Sequence, residues 1–204
     1  MKVLFVCTGN TCRSPMAEAL LKHLGNNVEV RSAGIFAGKG SPMSEGTRQV
    51  LEEQSIAFDH HSQPVTPELV EWADIILTMS EQHKQTLIMQ DENCRDKCFT
   101  LKEYVLIDQS SNWEKLKTAY ADLEEKKSRI LQDHKGEDDM ETIQNKLYEA
   151  CKKDLEKIQE LEDQLPDLDI VDPFGGDVAI YRKTREDIEK HIVLLVKKLE
   201  DNNS

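Results

Sequence analysis

The sequence predicts an α/β protein in which a four-stranded parallel twisted sheet is flanked by helices and carries an inserted antiparallel helical hairpin. Three observations lead to this prediction. Short apolar runs alternate with segments of helical spacing, the 204 residues provide one ordinary domain and a remainder, and one long segment differs sharply in composition. Strands that alternate with helices form parallel sheets, because each crossover between neighbouring strands places a helix on a face of the sheet.

The predicted strands and helices follow in order along the chain. The first strand is the apolar run Val3–Val6, whose continuity is typical of a strand buried on both faces. A polar turn follows, and then a helix with apolar spacing from Met16 to Leu24. The remaining predicted elements repeat this alternation: strands over 28–34, 74–79 and 98–101, and helices over 44–54, 81–88 and 177–199.

Residues 110–165 differ in composition from the rest of the chain. Nearly half of them are charged, none is proline, and Gly136 is the single glycine. Apolar residues recur at three-four spacing on both sides of a polar segment, which predicts two antiparallel helices of about 30 Å each at ~1.5 Å per residue. Lys127 interrupts the first apolar stripe, so a looser pair of broken helices remains an alternative. We therefore predict a main domain formed by 1–109 and 166–204, with a coiled-coil-like hairpin over 110–165 inserted in it.

The overall composition excludes several classes of protein. The net charge of −13 repels nucleic-acid phosphates and anionic lipids, so we expect no nucleic-acid or membrane partner. Neither a membrane-spanning run nor a signal-peptide core is present, and we expect a cytoplasmic protein. An odd number of cysteines, five, argues against a disulfide framework, which leaves burial, redox chemistry or catalysis as their roles.

The turn between the first strand and the first helix has the sequence Cys7-Thr8-Gly9-Asn10-Thr11-Cys12-Arg13-Ser14-Pro15. A glycine-containing loop that enters a helix turns its backbone N–H groups inward and forms a nest for a tetrahedral anion. Cys7 lies at the floor of this nest, where the same field stabilises the nucleophilic thiolate. Arg13 supplies a planar fork for two phosphoryl oxygens, and Ser14 can donate a hydrogen bond to the sulfur. The expected phosphate-binding residues of the loop are Thr8, Gly9, Asn10, Thr11, Cys12 and Ser14.

A second motif, Asp172-Pro173-Phe174-Gly175-Gly176, precedes the last helix. When a thiolate displaces a phosphoryl group, the leaving atom must be protonated, and a base must later activate the water that releases phosphate. Asp172 can perform both steps in turn. Without the cysteine loop the same motif would be interpreted as a surface turn. With that loop, Cys7, Arg13 and Asp172 are the predicted catalytic residues.

Together these motifs resemble those of the low-molecular-weight protein tyrosine phosphatase family, over residues 1–109 and 166–204. Val3 to Glu18 is similar to the N-terminal signature of the family, and the Asp-Pro loop stands where the family places its general acid. The resemblance implies the fold of these phosphatases and hydrolysis through a cysteinyl-phosphate intermediate. The hairpin lies outside the resemblance.

Two departures from the tyrosine-directed pattern resemble the protein-arginine phosphatase branch of the family. Thr11 replaces a bulky aliphatic residue, and Phe174-Gly175 replaces an aromatic pair. A guanidinium is planar, cationic and rich in N–H donors, so a shorter rim and a flat aromatic wall suit it. The predicted function is therefore hydrolysis of phosphoarginine in proteins, with a protein tyrosine phosphatase of the same family as the alternative.

The other cysteines and the histidines carry further expectations. Cys94 and Cys98 could pass electrons to Cys7, which would indicate a thiol-dependent arsenate reductase as a second alternative. A disulfide between Cys7 and Cys12 is a hypothesis for protection against over-oxidation. No histidine has partners at the spacing of metal ligands, so we expect neither a metal nor a cofactor. The expected partners are phosphorylated proteins, and the hairpin is expected to select partners or to dimerise, or else to be a passive extension.

Overall fold

The computed structural model describes residues 1–25, 28–106, 111–133, 140–164 and 167–201. The chain forms two compact units, one made of Met1–Leu106 with Leu168–Ser204 and the other of Ile107–Asp167. In the part of the chain that is described, no helix is long and apolar enough to cross a membrane.

The first unit is built on a parallel sheet of four strands in the order β2-β1-β3-β4. These are β1 (Lys2–Cys7), β2 (Glu29–Gly34), β3 (Ile75–Thr78) and β4 (Cys98–Thr100). In the register of the central strand, Cys7 pairs with Gly34 and Val6 with Thr78. The carboxyl ends of β1, β2 and β3 therefore meet at one edge of the sheet, which is where open α/β sheets bind their ligands.

The helices of this unit cover both faces of the sheet. They are α1 (Arg13–Leu24), α2 (Glu45–Glu52), α3 (Pro67–Trp72), α4 (Glu81–Gln90), α5 (Leu101–Leu106) and α8 (Val178–Asp201), and a 3-10 helix spans Glu92–Lys97. Alternate residues of β1 face opposite sides, as the period of a strand requires. Val3 and Phe5 pack with α1 and α8, whereas Leu4 and Val6 pack with side chains of α3 and α4.

The predicted fold class is confirmed in the first unit, with differences at the ends of elements. The observed strands begin or end within a residue of the predicted ones, and the last helix begins at Val178 and extends to Asp201. Helices α3 and α5 and the 3-10 helix were not predicted from the sequence. Helix α3 has recognisable signals, because the side chain of Thr66 caps its N-terminus at the backbone N–H of Leu69 and Pro67 occupies its first turn.

The second unit contains α6 (Ser111–Asp133) and α7 (Met140–Asp163). The two helices pack antiparallel, because Tyr120 donates a hydrogen bond to Glu162 while Lys126 pairs with Asp154. Their shared apolar cluster consists of Leu116, Ala119, Leu123, Cys151 and Ile158. The predicted turn of the hairpin, 134–139, lies outside the described residues. The single inserted hairpin over 110–165 and its coiled-coil character therefore stay predictions.

Candidate active site

Cys7 stands at the carboxyl end of β1, directly before the loop that leads into α1. Its side chain is buried, and its Sγ lies 3.0 Å from Oγ of Ser14. The carbonyl of Cys7 accepts a hydrogen bond from the backbone N–H of Ile35, which ties the end of β1 to the residue that follows β2. The thiol is therefore held in one place by the strand, the loop and the first turn of the helix.

The loop is braced from below by Asn10, which is fully buried and adopts a positive φ of 54°. Its amide donates to Oγ of Ser14 at 2.9 Å and to Oγ of Ser32 at 2.8 Å, and its Oδ1 accepts from the backbone N–H of Gln63. Because Ser14 accepts from Asn10, its own hydrogen is free for the Cys7 sulfur. The other acceptor of that hydrogen, the carbonyl of Ala33, is farther away at 3.4 Å.

Gly34 permits the loop to pass close to β2. A Cβ at this position would lie 2.7 Å from the carbonyl oxygen of Thr8 and 2.8 Å from the backbone nitrogen of Asn10. Both atoms belong to the backbone and cannot rotate away. The close approach therefore requires glycine at residue 34.

The buried guanidinium of Arg13 connects the loop to the segment that carries Asp172. Its NH1 donates to the carbonyl of Ile170 at 3.1 Å, and its NH2 donates to Oδ2 of Asp172 at 2.6 Å. Its Nε is buried and has no hydrogen-bond partner among the described residues. A buried, unpaired N–H is costly, and an anion in the loop would satisfy it.

Asp172 lies at the rim of the site, with its side chain 46% exposed while that of Arg13 is 7% exposed. Its Oδ1 accepts a hydrogen bond from the backbone N–H of Phe174, and Gly175 completes the turn with a φ of 79°. The ring of Phe174 is largely exposed. The carboxyl group is thus ion-paired on one side and accessible to solvent on the other.

A cavity of about 200 Å³ brings most of the predicted site residues together. It is lined by Cys7, Thr8, Gly9, Thr11, Cys12, Arg13, Asp172 and Phe174. The other two predicted residues, Asn10 and Ser14, do not line it and instead support the loop. A larger depression of about 420 Å³ between Met43 and Asp59 contains no cysteine or histidine, so its size does not make it the reactive site.

His83, which was not predicted as a site residue, contacts the wall of the cavity. Its Nε2 lies 2.8 Å from Oγ1 of Thr8, and its Nδ1 lies 2.8 Å from Oγ of Ser80. Burial, and then the positive charge of Arg13, lower the pKa of His83 to about 4. Ser80 is the N-cap of α4 and could have been recognised as one, but its link to Thr8 spans too much sequence to be visible without the fold.

The remaining cysteines of the first unit are free thiols. Cys12 donates to Oγ of Ser44 at 3.3 Å and lies 3.6 Å from the hydroxyl of Tyr181. Cys94 and Cys98 belong to the apolar cluster on the face of the sheet opposite Cys7, and burial raises the pKa of both, that of Cys98 to about 12. This burial disfavours the electron relay of the second alternative, the arsenate reductase. Among the described residues, no group of His, Cys, Asp and Glu is arranged to hold a metal ion.

The fold and the site together define a class of protein. A cysteine at the tip of a buried parallel strand, an arginine at the start of the following helix and an aspartate from a distant loop line one cavity. This is the arrangement of a cysteine-dependent phosphatase.

Comparison with known proteins identifies the family. A model described as low molecular weight phosphotyrosine protein phosphatase matches residues 2–162, and the chain belongs to this family. A protein-arginine-phosphatase of Bacillus subtilis (strain 168) is 36% identical over 203 residues, which cover 98% of this chain and 97% of the relative.

Solved structures show the same similarity. The YwlE arginine phosphatase from Geobacillus stearothermophilus matches with a TM-score of 0.68 at 32% identity, over 98% of this chain and 94% of that chain. A cysteine-to-serine variant of YwlE arginine phosphatase with a phosphorylated active-site serine matches with a TM-score of 0.66 at 35% identity, over 98% and 96% of the two chains.

Proposed function

We propose that the protein removes the phosphoryl group from phosphoarginine in proteins, through a cysteinyl-phosphate intermediate on Cys7. The observation that carries this proposal is the meeting of Cys7, Arg13 and Asp172 around one cavity. The whole-chain similarity to proteins named arginine phosphatases supports the substrate. The phosphorylated active-site serine of the YwlE variant supports a covalent intermediate at the corresponding thiol.

In the first step, the Cys7 thiolate attacks phosphorus in line with the P–N bond. The S–P bond forms as the P–N bond breaks, and its electron pair goes to the departing guanidinium nitrogen, which takes a proton from the Asp172 carboxyl group. The hydroxyl of Ser14 and the positive end of α1 stabilise the thiolate before attack and again when it is released. The products of this step are an arginine side chain and phosphorylated Cys7.

In the second step, water hydrolyses the intermediate. The carboxylate of Asp172 takes a proton from the water as its oxygen attacks phosphorus, the S–P bond breaks, and the electron pair returns to sulfur. Arg13 binds the equatorial oxygens in both steps. With NH1 held by the carbonyl of Ile170 and NH2 paired with Asp172, Nε is the donor of the guanidinium that has no partner among the described residues and is available to a phosphoryl group.

Thr11 and Phe174 support the choice of phosphoarginine over phosphotyrosine. Both line the cavity, and the exposed ring of Phe174 offers a flat surface on which a guanidinium can stack. The short side chain of Thr11 leaves the rim low and adds a hydroxyl group. Asp172 can pair with the cationic substrate as well as protonate its leaving nitrogen.

The test is the turnover of matched phosphoarginine and phosphotyrosine peptides by the wild type and by Thr11→Ile. We expect the variant to lose activity on phosphoarginine and to retain or gain it on phosphotyrosine. Thr11→Val, which keeps the size and removes the hydroxyl, separates the effect of side-chain size at the rim from the effect of the hydroxyl group. Equal losses on both peptides would remove Thr11 from the specificity, and a wild type that prefers phosphotyrosine would favour the tyrosine phosphatase of the family.

We also propose that the enzyme acts in the cytoplasm. Its five free thiols support a reducing compartment.

We assign to the α6–α7 pair a role in selecting protein substrates, supported by its exposed Leu131, Tyr148 and Leu155. Changing these three to serine should weaken turnover of phosphorylated proteins but leave that of a small aryl phosphate unchanged. Sedimentation of both forms shows whether the pair mediates dimerisation instead.

A further inference from the structure

A chain of hydrogen bonds connects the start of α4 to the wall of the cavity. Ser80 Oγ accepts the backbone N–H of His83 at 3.3 Å and lies 2.8 Å from Nδ1 of the same residue. Nε2 of His83 then lies 2.8 Å from Oγ1 of Thr8, which lines the cavity beside Cys7. Ser80 and His83 are both buried, so water does not compete for the contact between them, whereas Thr8 is exposed where the chain reaches the cavity.

The network assigns the tautomer of His83. If Nδ1 carried the proton, the Ser80 oxygen would accept both N–H groups, and its own buried hydrogen would have no acceptor among the described residues. Donation from Ser80 to Nδ1 satisfies all of these groups. An acceptor Nδ1 leaves the proton of a neutral imidazole on Nε2. The lowered pKa of His83 keeps the ring neutral at physiological pH. Nε2–H therefore donates to Oγ1 of Thr8.

This assignment fixes the direction of the Thr8 hydroxyl. Its oxygen also lies 3.5 Å from NH2 of Arg13, which can only donate. With both lone pairs of the oxygen facing donors, the hydrogen must be directed to a third group. In the described part of the chain the hydroxyl then has no protein acceptor, and a phosphoryl oxygen in the cavity that Thr8 lines can accept its hydrogen.

We propose that His83 is a positioning residue which, together with Ser80, directs the Thr8 hydroxyl into the cavity as a hydrogen-bond donor to a bound phosphoryl group. The inference rests on the proposed function, since the phosphoryl group is the ligand of that cavity. It adds one side-chain donor to the backbone N–H groups of the loop. That donor remains correctly directed only while Nδ1 is an acceptor.

A double-mutant cycle on the full-length protein tests the coupling. Thr8→Val removes the hydroxyl at nearly constant size, and His83→Leu removes its orienting donor. Each single change should lower kcat/KM for p-nitrophenyl phosphate, and the affinity for inorganic phosphate as a competitive inhibitor, by about tenfold. The double variant should be no worse than either single variant, because both changes remove the same donor. Thr8→Ser should restore most of the loss.

The control variant is His61→Leu, which removes an imidazole whose side chain is 65% exposed. It should leave both kcat/KM and the affinity for phosphate unchanged. If His83→Leu costs as much in the Thr8→Val background as in the wild type, His83 supports the fold alone and the inference is overturned. A wild type that hydrolyses no phosphoryl substrate would instead overturn the proposed function.

A spectroscopic measurement does not depend on the folding of variants. The ¹⁵N chemical shifts of the His83 ring in the wild type, at pH 7, should show a protonated Nε2 and an unprotonated Nδ1. The opposite tautomer would make Thr8 donate to His83 rather than to the cavity, and it would overturn the inference.

Discussion

Replacing His83 with glutamine should change how the stability of the protein depends on pH. The pKa of this histidine is about 4 in the folded protein, against 6.5 for the free side chain. Between these values the unfolded chain binds a proton that the folded protein does not, so a fall in pH favours unfolding. The shift of about 2.5 units corresponds to about 3 kcal/mol of stability, present above pH 6.5 and lost as the pH falls toward 4. Glutamine does not titrate, so the His83→Gln variant does not lose this stability as the pH falls.

The assay is urea unfolding of wild type and His83→Gln, followed by circular dichroism at a series of pH values from 4 to 7.5. Arg13, Asp169 and Asp172 are the charged groups that act on His83, and all three are retained in the variant. The effect of their own titration therefore largely cancels in the difference between the unfolding free energies of the wild type and the variant. We expect the free-energy cost of the substitution to shrink by about 3 kcal/mol between pH 7 and pH 4. Two curves that stay parallel across this range would refute the neutral, buried state of His83.

The remaining predictions concern the reaction and the loop. Cys7→Ser should abolish turnover of every substrate while retaining phosphate binding by isothermal calorimetry, and a variant that still turns over would remove Cys7 from the mechanism. Asp172→Asn should lower kcat/KM, which reports the steps up to the cysteinyl-phosphate, by about 10²- to 10⁴-fold on phosphoarginine peptides but much less on p-nitrophenyl phosphate, whose leaving group needs no proton; equal losses of kcat/KM would contradict the acid role. Gly34→Ala should cost about 1–3 kcal/mol in urea unfolding and weaken phosphate binding, because its Cβ would press on the backbone of Thr8 and Asn10; unchanged values would mean that the loop can shift freely.

The sheet and the cysteine loop were predictable because their signals are local. The run Val3–Val6 is buried on both faces, and the loop that follows contains every residue type needed for an anion nest. The place of Asp172 at the cavity could be predicted as well, since its motif stands alone before the last helix. In each case neighbouring residues carry the whole pattern.

The support behind the cavity could not be predicted because it consists of contacts between distant residues. Thr8 and His83 meet only because β1 and β3 are neighbours in the sheet, and Arg13 reaches a backbone carbonyl at Ile170 that no sequence pattern marks. The Ser80 cap was visible in the sequence, yet nothing local shows that the imidazole three residues later turns inward. Chemistry carried by side chains within one motif is thus easier to predict than chemistry completed by the fold.

The anchoring of Ile170 has a consequence for the evolution of the chain. Its N–H donates a hydrogen bond to the carbonyl of Met79, and its carbonyl accepts one from NH1 of Arg13. These two contacts hold the chain two residues before Asp172 and three residues after the unit Ile107–Asp167 ends. We therefore expect changes of length between α5 and Ile170 to leave the position of Asp172 unchanged. An accessory element grafted into this segment should leave the cavity intact.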